Sequence, residues 1–293
     1  MRGTWVAMAA YAIWGLFPIY WKWLQEVPAW QLVCHRIVWT CLMLSCVIAL
    51  SGQWQAFTAA VRMPGAIRIY LLAAVLMSIN WLVFMLAVNS ENVTQTGLGY
   101  YISPLVSVLV GVVILHERLR PAQWLSVALA AAGVAVLTLA HGSLPWMALA
   151  LALSFGAYGL VKKIATLGAV HGLMLETGLL LPAALAYLAY CDLTGQGAFL
   201  RSGTTADMLM VASGLVSMSP LLLFAFAAQR IPLARLGFLQ YITPTLQLLL
   251  GVWMYHEPFG HGSLIGFGMV WAALLIFGID GWRTPSPQRQ NAP

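Results

Sequence analysis

The chain has 293 residues, of which 61% are hydrophobic and only 8% charged, with a formal net charge of +6. Soluble domains carry about 25% charged residues, and a domain of this length still needs a polar shell to face water, so a soluble globule is excluded. The basic residues are scattered over short loops rather than clustered, which points to membrane topology and away from nucleic acid.

A helix needs roughly 20 mainly apolar residues to cross the hydrocarbon, and ten stretches qualify. The first, about 4–22, follows a single basic residue. It holds Trp5, Trp14 and Pro18 and shows no small-residue cleavage site, so an uncleaved span is expected rather than a signal peptide. The second, about 29–50, carries three of the four cysteines, Cys34, Cys41 and Cys46. With Cys191 far away and no CxxC pair, they read as small hydrophobes. His35 and Arg36 stand about 10–12 Å into this span at 1.5 Å per residue. The third, about 68–88, contains Asn80 and Trp81. The fourth to sixth are about 93–115, 121–140 and 145–161. The seventh, about 171–190, carries Glu176, and the eighth to tenth are about 207–228, 233–255 and 262–281. Pro28, Pro121 and Pro145 fall at proposed helix starts, where a missing N–H costs least. A polar tail, "RTPSPQRQNAP", closes the chain.

With the N-terminus placed inside, eleven of the 14 basic residues fall on the inner side. Losing or adding one span would scramble that alternation. The charges therefore predict ten spans, with both termini cytoplasmic.

Residues 101–117, "YISPLVSVLVGVVILHE", and 241–257, "YITPTLQLLLGVWMYHE", match at eight of 17 positions. Their offset is 140 residues, which covers five spans. Five is odd, so the two halves enter the membrane from opposite sides, as in many secondary transporters. The expected fold is all-α and membrane-embedded, with two inverted five-helix repeats at 1–141 and 142–293.

Chemistry can sit at several places. Pro104 and Pro244 lie mid-span and free the carbonyls of Tyr100 and Gln240. Each is either a tolerated kink in a packed bundle or a bend whose carbonyls face a substrate path. Ser103, Ser107 and Gly111, and their counterparts Thr243, Gln247 and Gly251, form stripes of the kind that packs helices closely. Gln247 breaks that pattern and either bonds across the interface or touches substrate. The pairs His116-Glu117 and His256-Glu257 fall on opposite membrane faces and cannot share a metal; loop or interface anchoring is expected, with Arg118 and Arg120 near Glu117. At an offset of 141, His35 and Glu176 are equivalent. Ionisable groups at this depth are costly unless paired or wet. They either form structural pairs or line a polar cavity in which Arg36 reads an anionic group and Glu176 exchanges protons. Asn80 needs a partner, as interhelical glue or as a ligand contact. No nucleophile elbow, phosphate-binding glycine loop or HExxH motif occurs, so no catalytic residues, metal, cofactor or direct ATP drive are expected.

The stretches "GLGYYISPLVSVLVGVVILHERLR" and "LGFLQYITPTLQLLLGVWMYHE" resemble the EamA-type members of the drug/metabolite transporter superfamily. "AYAIWGLFPIYWK", "VPAWQLVCHRIVWT", "NWLVFMLAVNS" and "GSLPWMALALALSFGAYGLVKK" resemble its RarD-type permeases more specifically, over about residues 4–281. The resemblance implies a bacterial inner-membrane exporter of a small metabolite or drug. It also implies alternating access around a cavity walled by spans 1, 3, 4, 6, 8 and 9, which leaves His35 and Glu176 off the wall. The substrate-binding residues expected are Asn80, Trp81, Tyr101, Gln240, Tyr241 and Gln247. Arg36, Glu176 and His35 are expected in polar or coupling roles, protons being the candidate coupling ion.

Overall fold

The computed structural model describes residues 2–89, 93–140, 146–254 and 261–283. His256, Glu257, Pro145 and the tail from 284 lie outside the described residues. Within them the chain forms α1 (Arg2–Lys22), α2 (Ala29–Leu50), α3 (Trp54–Val61), α4 (Ala66–Asn89), α5 (Val93–Val113) and α6 (Pro121–Ala140). They continue as α7 (Trp146–Ile164), α8 (Ala169–Leu193), α9 (Thr204–Ala228), α10 (Leu233–Gln240), α11 (Ile242–Met254) and α12 (His261–Arg283). No strand occurs among the described residues.

Seven helices are long and apolar enough to cross a membrane, and Gly99–Val113 adds a shorter apolar one. Their outer faces keep large apolar side chains open, among them Leu109, Leu125, Leu139, Leu153, Leu215 and Leu275. A water-facing surface would not carry so much contiguous apolar area; hydrocarbon accepts it. Helices are the form such segments must take, because each backbone N–H and C=O is then satisfied within the segment.

Two differences from the sequence expectation concern elements. The connection between the second and third spans contains the short helix α3, eight residues long and too short to cross. The expected ninth span is divided, with α10 ending at Gln240 and α11 beginning at Ile242. The two prolines thus act differently. α5 runs unbroken through Pro104, whereas Pro244 comes one turn after the break, and the Thr245 N–H reaches the Tyr241 carbonyl at 3.1 Å. Of the expected helix-start prolines, Pro121 opens α6 and Pro28 precedes α2 as its cap.

The packing follows small residues. A Cβ on Gly237 would stand 2.7 Å from the Pro104 carbonyl, so α10 and α5 approach backbone to backbone. A Cβ on Gly133 would meet the Gly266 carbonyl at 2.7 Å, which seats α6 on α12. α2 packs on both α8 and α9, α4 on α7, α5 on α7, and α1 on α9 and α11. The central core gathers Tyr11, Leu44, Tyr158, Leu173, Phe224 and Leu236 from five of these helices and α10.

Candidate functional site

Where α4, α7, α8 and α9 meet there is a small cavity of about 20 Å³, room for about one water molecule. Met77 and Trp81 reach it from α4, Tyr158 from α7, Glu176 and Thr177 from α8, and Leu221 from α9. The lining is apolar apart from one cluster. The Glu176 carboxylate accepts a charge-assisted bond from Lys162 Nζ at 2.5 Å and a second from the Tyr158 hydroxyl at 3.1 Å. The side chains of Lys162 and Glu176 are 2% and 5% exposed, so the ion pair is withdrawn from water almost completely. Tyr70 and Tyr158 present their ring faces to the ammonium, each 5.5 Å from Nζ. This arrangement compensates both charges, as a buried pair must.

The sequence led to Glu176 but counted Lys162 only among the inner-side charges. Lys162 is four residues after Tyr158, so both project from the same face of α7. α8 then folds back with Glu176 opposite them. That spacing was the available signal. The adjacent Lys163, about 100° around the helix, instead caps the Ile231 carbonyl at 2.6 Å.

Arg36 occupies a second polar position. Its guanidinium stands 5.0 Å from the Trp21 ring centre and 5.2 Å from that of Trp81. Its Nε donates to the Ser217 hydroxyl at 2.8 Å. Trp81 therefore joins the two polar positions, touching Arg36 and lining the cavity that holds Glu176. His35, one residue earlier, turns away. It is buried beside the Phe199 ring at 5.1 Å, and its Nε2 has no hydrogen-bond partner among the described residues.

The other expected site residues are spread through helix contacts. Asn80 Nδ2 donates to the Leu151 carbonyl and the Ser154 hydroxyl, both at 3.0 Å, and so ties α4 to α7. Gln240 Nε2 donates to Ser103 Oγ at 2.8 Å, with Ser107 Oγ at 3.5 Å from its Oε1, so the small-residue stripe of α5 carries a polar clasp to α10. The Tyr101 hydroxyl donates to the Pro244 carbonyl at 3.3 Å, its ring edge-on to Phe267. Tyr241 is buried against Ala130, Val270 and Ala273, toward α6 and α12. Thr243 donates to the Tyr11 carbonyl at 2.8 Å and Gln247 reaches the Trp14 carbonyl at 3.5 Å, both facing α1. Of the six expected binding residues, only Trp81 lines the cavity described above.

Glu117 does more than sit among arginines. Its two carboxylate oxygens accept the N–H groups of Leu233 at 2.6 Å and Ala234 at 2.8 Å, capping the first turn of α10. An acidic group there also meets the positive end of the helix dipole. Arg120 pairs instead with Asp280 at 2.6 Å.

Residues 1–139 match the EamA-like transporter family. An uncharacterized transporter of Bacillus subtilis, YojE, is 43% identical over 94% of this chain and 93% of its own. Protein RarD of Escherichia coli is 40% identical over 95% and 94%. The chloramphenicol-sensitive protein RarD of Pseudomonas aeruginosa is 29% identical over 96% and 95%. A solved crystal structure shares the fold, with a TM-score of 0.73 over 95% of this chain and 98% of that one at 19% identity. The apolar helices and these relatives together make it a multi-pass bacterial inner-membrane transporter. Similar to such proteins along nearly its whole length, the chain belongs to the EamA-like transporter family, as one of its RarD-type permeases.

Proposed function

We propose that the protein is a secondary active transporter that exports a small metabolite or drug by alternating access. In this reading the chain makes ten spans, counting α10 and α11 as one and leaving α3 at the inner surface. Residues 1–141 and 142–293 form inverted halves, and both termini are cytoplasmic. The helix pairing supports this arrangement. Counting spans, α2 on α8, α5 on α10 and α6 on α12 each join a span to its counterpart five spans on, and α4 on α7 mirrors α1 on α9. Such self-matched contacts are what an inverted repeat produces.

The observation that carries the functional reading is the polar line from Arg36 through Trp81, both half-buried, to the buried Glu176 and Lys162, among helices of both halves. Ionisable groups are retained inside a membrane protein mainly where a solute or ion path needs them. Glu176 is the proton-coupling residue in this reading. A protonated carboxyl releases Lys162 and a carboxylate holds it, so the pair couples proton occupancy to the packing of α7 against α8. Tyr101, Gln240, Tyr241, Gln247 and Asn80 then serve at helix contacts that rearrange when the halves rock. Pro104 and Pro244 supply the places where a span bends.

The test is counterflow in proteoliposomes loaded with candidate metabolites under an imposed pH gradient. Saturable counterflow that responds to the gradient supports the transporter. Non-saturable flux would make the protein a passive facilitator, and chemical turnover of a solute would make it an enzyme. Glu176→Gln with unchanged proton dependence would remove Glu176 from coupling.

A further inference from the structure

Arg36 differs from the other described cations inside the bundle in what surrounds it. Among the described residues the ion pairs are Arg120 with Asp280, Lys162 with Glu176 and Arg201 with Asp192; none includes Arg36. Its Nε is anchored by the Ser217 hydroxyl, and its guanidinium carbon lies over the Trp21 and Trp81 rings, 5.0 and 5.2 Å from their centres. Those contacts come from α9, α1 and α4, so the side chain points into the bundle rather than out toward lipid. The edge of the guanidinium that carries the two terminal nitrogens has no carboxylate within ion-pair reach among the described residues. Two phenols stand near the guanidinium, Tyr100 of α5 and Tyr20 of α1, whose hydroxyl donates to the Leu209 carbonyl; neither supplies a carboxylate. A guanidinium held at Nε, set over two indole rings and with no ion-pair partner among the described residues, matches the planar bidentate geometry of a carboxylate or phosphate.

We propose that Arg36 is the recognition point for an anionic head group, carboxylate or phosphate, on the transported solute. The two indoles and the Ser217 hydroxyl restrict the orientation of the fork. The solute supplies the missing negative charge, so the loaded site is electrically compensated in the way that Glu176 compensates Lys162. This rests on the transporter reading above for the fate of the bound solute, but not for the binding itself.

The experiment uses the purified full chain in phosphatidylcholine nanodiscs. Thermal unfolding is followed against three matched pairs: benzoate and benzamide, nicotinate and nicotinamide, phenyl phosphate and phenol. The expected result is saturable protection by the charged members, with affinity at least about tenfold above the neutral members. Arg36→Gln should remove that preference. Arg36→Lys should keep charge selectivity while losing about tenfold in affinity, because an ammonium cannot form the fork. Ser217→Ala, which leaves the charge in place, should weaken the charged members by about three- to tenfold. Equal protection by neutral members, no protection by any acid at about 10 mM, or undiminished preference in Arg36→Gln would overturn the assignment. So would protection supplied by added phosphatidylglycerol and not by the soluble acids, since the anion would then be a lipid head group. Counterflow separates the two readings. Binding without counterflow would overturn the transporter and leave the anion site. Counterflow confined to neutral or cationic solutes would do the reverse.

Discussion

Lys162 and Arg36 both carry a positive charge into a bundle of apolar helices, and the fold deals with them in opposite ways. Lys162 meets a carboxylate at 2.5 Å, with two tyrosine faces around the ammonium. Arg36 meets two indoles and one hydroxyl, and no acid among the described residues. The difference separates two ways of carrying a charge. Lys162 is compensated within the empty protein, by the carboxylate whose protonation is proposed to release it. Arg36 is oriented by neutral groups, with no counter-ion among the described residues, which is the ground for proposing that it meets an arriving anion.

The sharpest break of this comparison is Lys162→Met. It strands Glu176 in an apolar site, and removing one partner of a buried pair costs about 3–5 kcal/mol. A large drop in thermal midpoint is expected, with most of it recovered in the double variant Lys162→Met/Glu176→Gln. A single variant as stable as the parent would show that the pair is not buried as described. The next effect concerns Glu117, a charge compensated by backbone N–H groups rather than by a cation. Glu117→Ala uncaps α10 and should cost about 0.5–2 kcal/mol, with Glu117→Gln milder, read from the same unfolding curves. Asn80→Ala removes neutral bonds between α4 and α7, and about 0.6 kcal/mol is expected, the mean for interhelical polar contacts in a membrane bundle. The smallest effect on stability belongs to Arg36→Gln. No counter-ion is stranded, so the unfolding free energy should change by no more than about 0.5 kcal/mol while transport is lost. A destabilisation as large as that of Lys162→Met would make Arg36 a structural residue and erase the contrast.

Part of the polar geometry was legible in the sequence: Arg36 and Glu176 stood out because ionisable groups deep in apolar stretches are expensive, and Trp81 stood out only beside Asn80. The stripe of Ser103, Ser107 and Gly111 read as a packing surface, and α10 lies against it. Lys162 escaped notice because a lysine at the end of a span is indistinguishable, in one dimension, from a loop charge on the inner side. Only the return of α8 across α7 turns its ammonium onto Glu176. Gln240, Tyr241 and Tyr101 were expected to bind substrate, and the sequence did not show which helices their side chains face. They meet α5, α6, α11 and α12, since a side chain's direction depends on how its helix is rotated against its neighbours.

The sequence by itself determined the solvent and the class of structure. With 8% charged residues the chain has no water-compatible surface, and in hydrocarbon its backbone must close its hydrogen bonds within helices. It also determined family membership, through motifs that need no coordinates. The tertiary structure alone decided which polar groups compensate one another. Lys162 and Glu176 are 14 residues apart in the chain, Gln240 and Ser103 137, and Arg36 and Ser217 181. No local pattern encodes such partners. They are selected by the close approach of helices at small residues such as Gly133 and Gly237, which sets the rotation of each helix and so the side chains that meet.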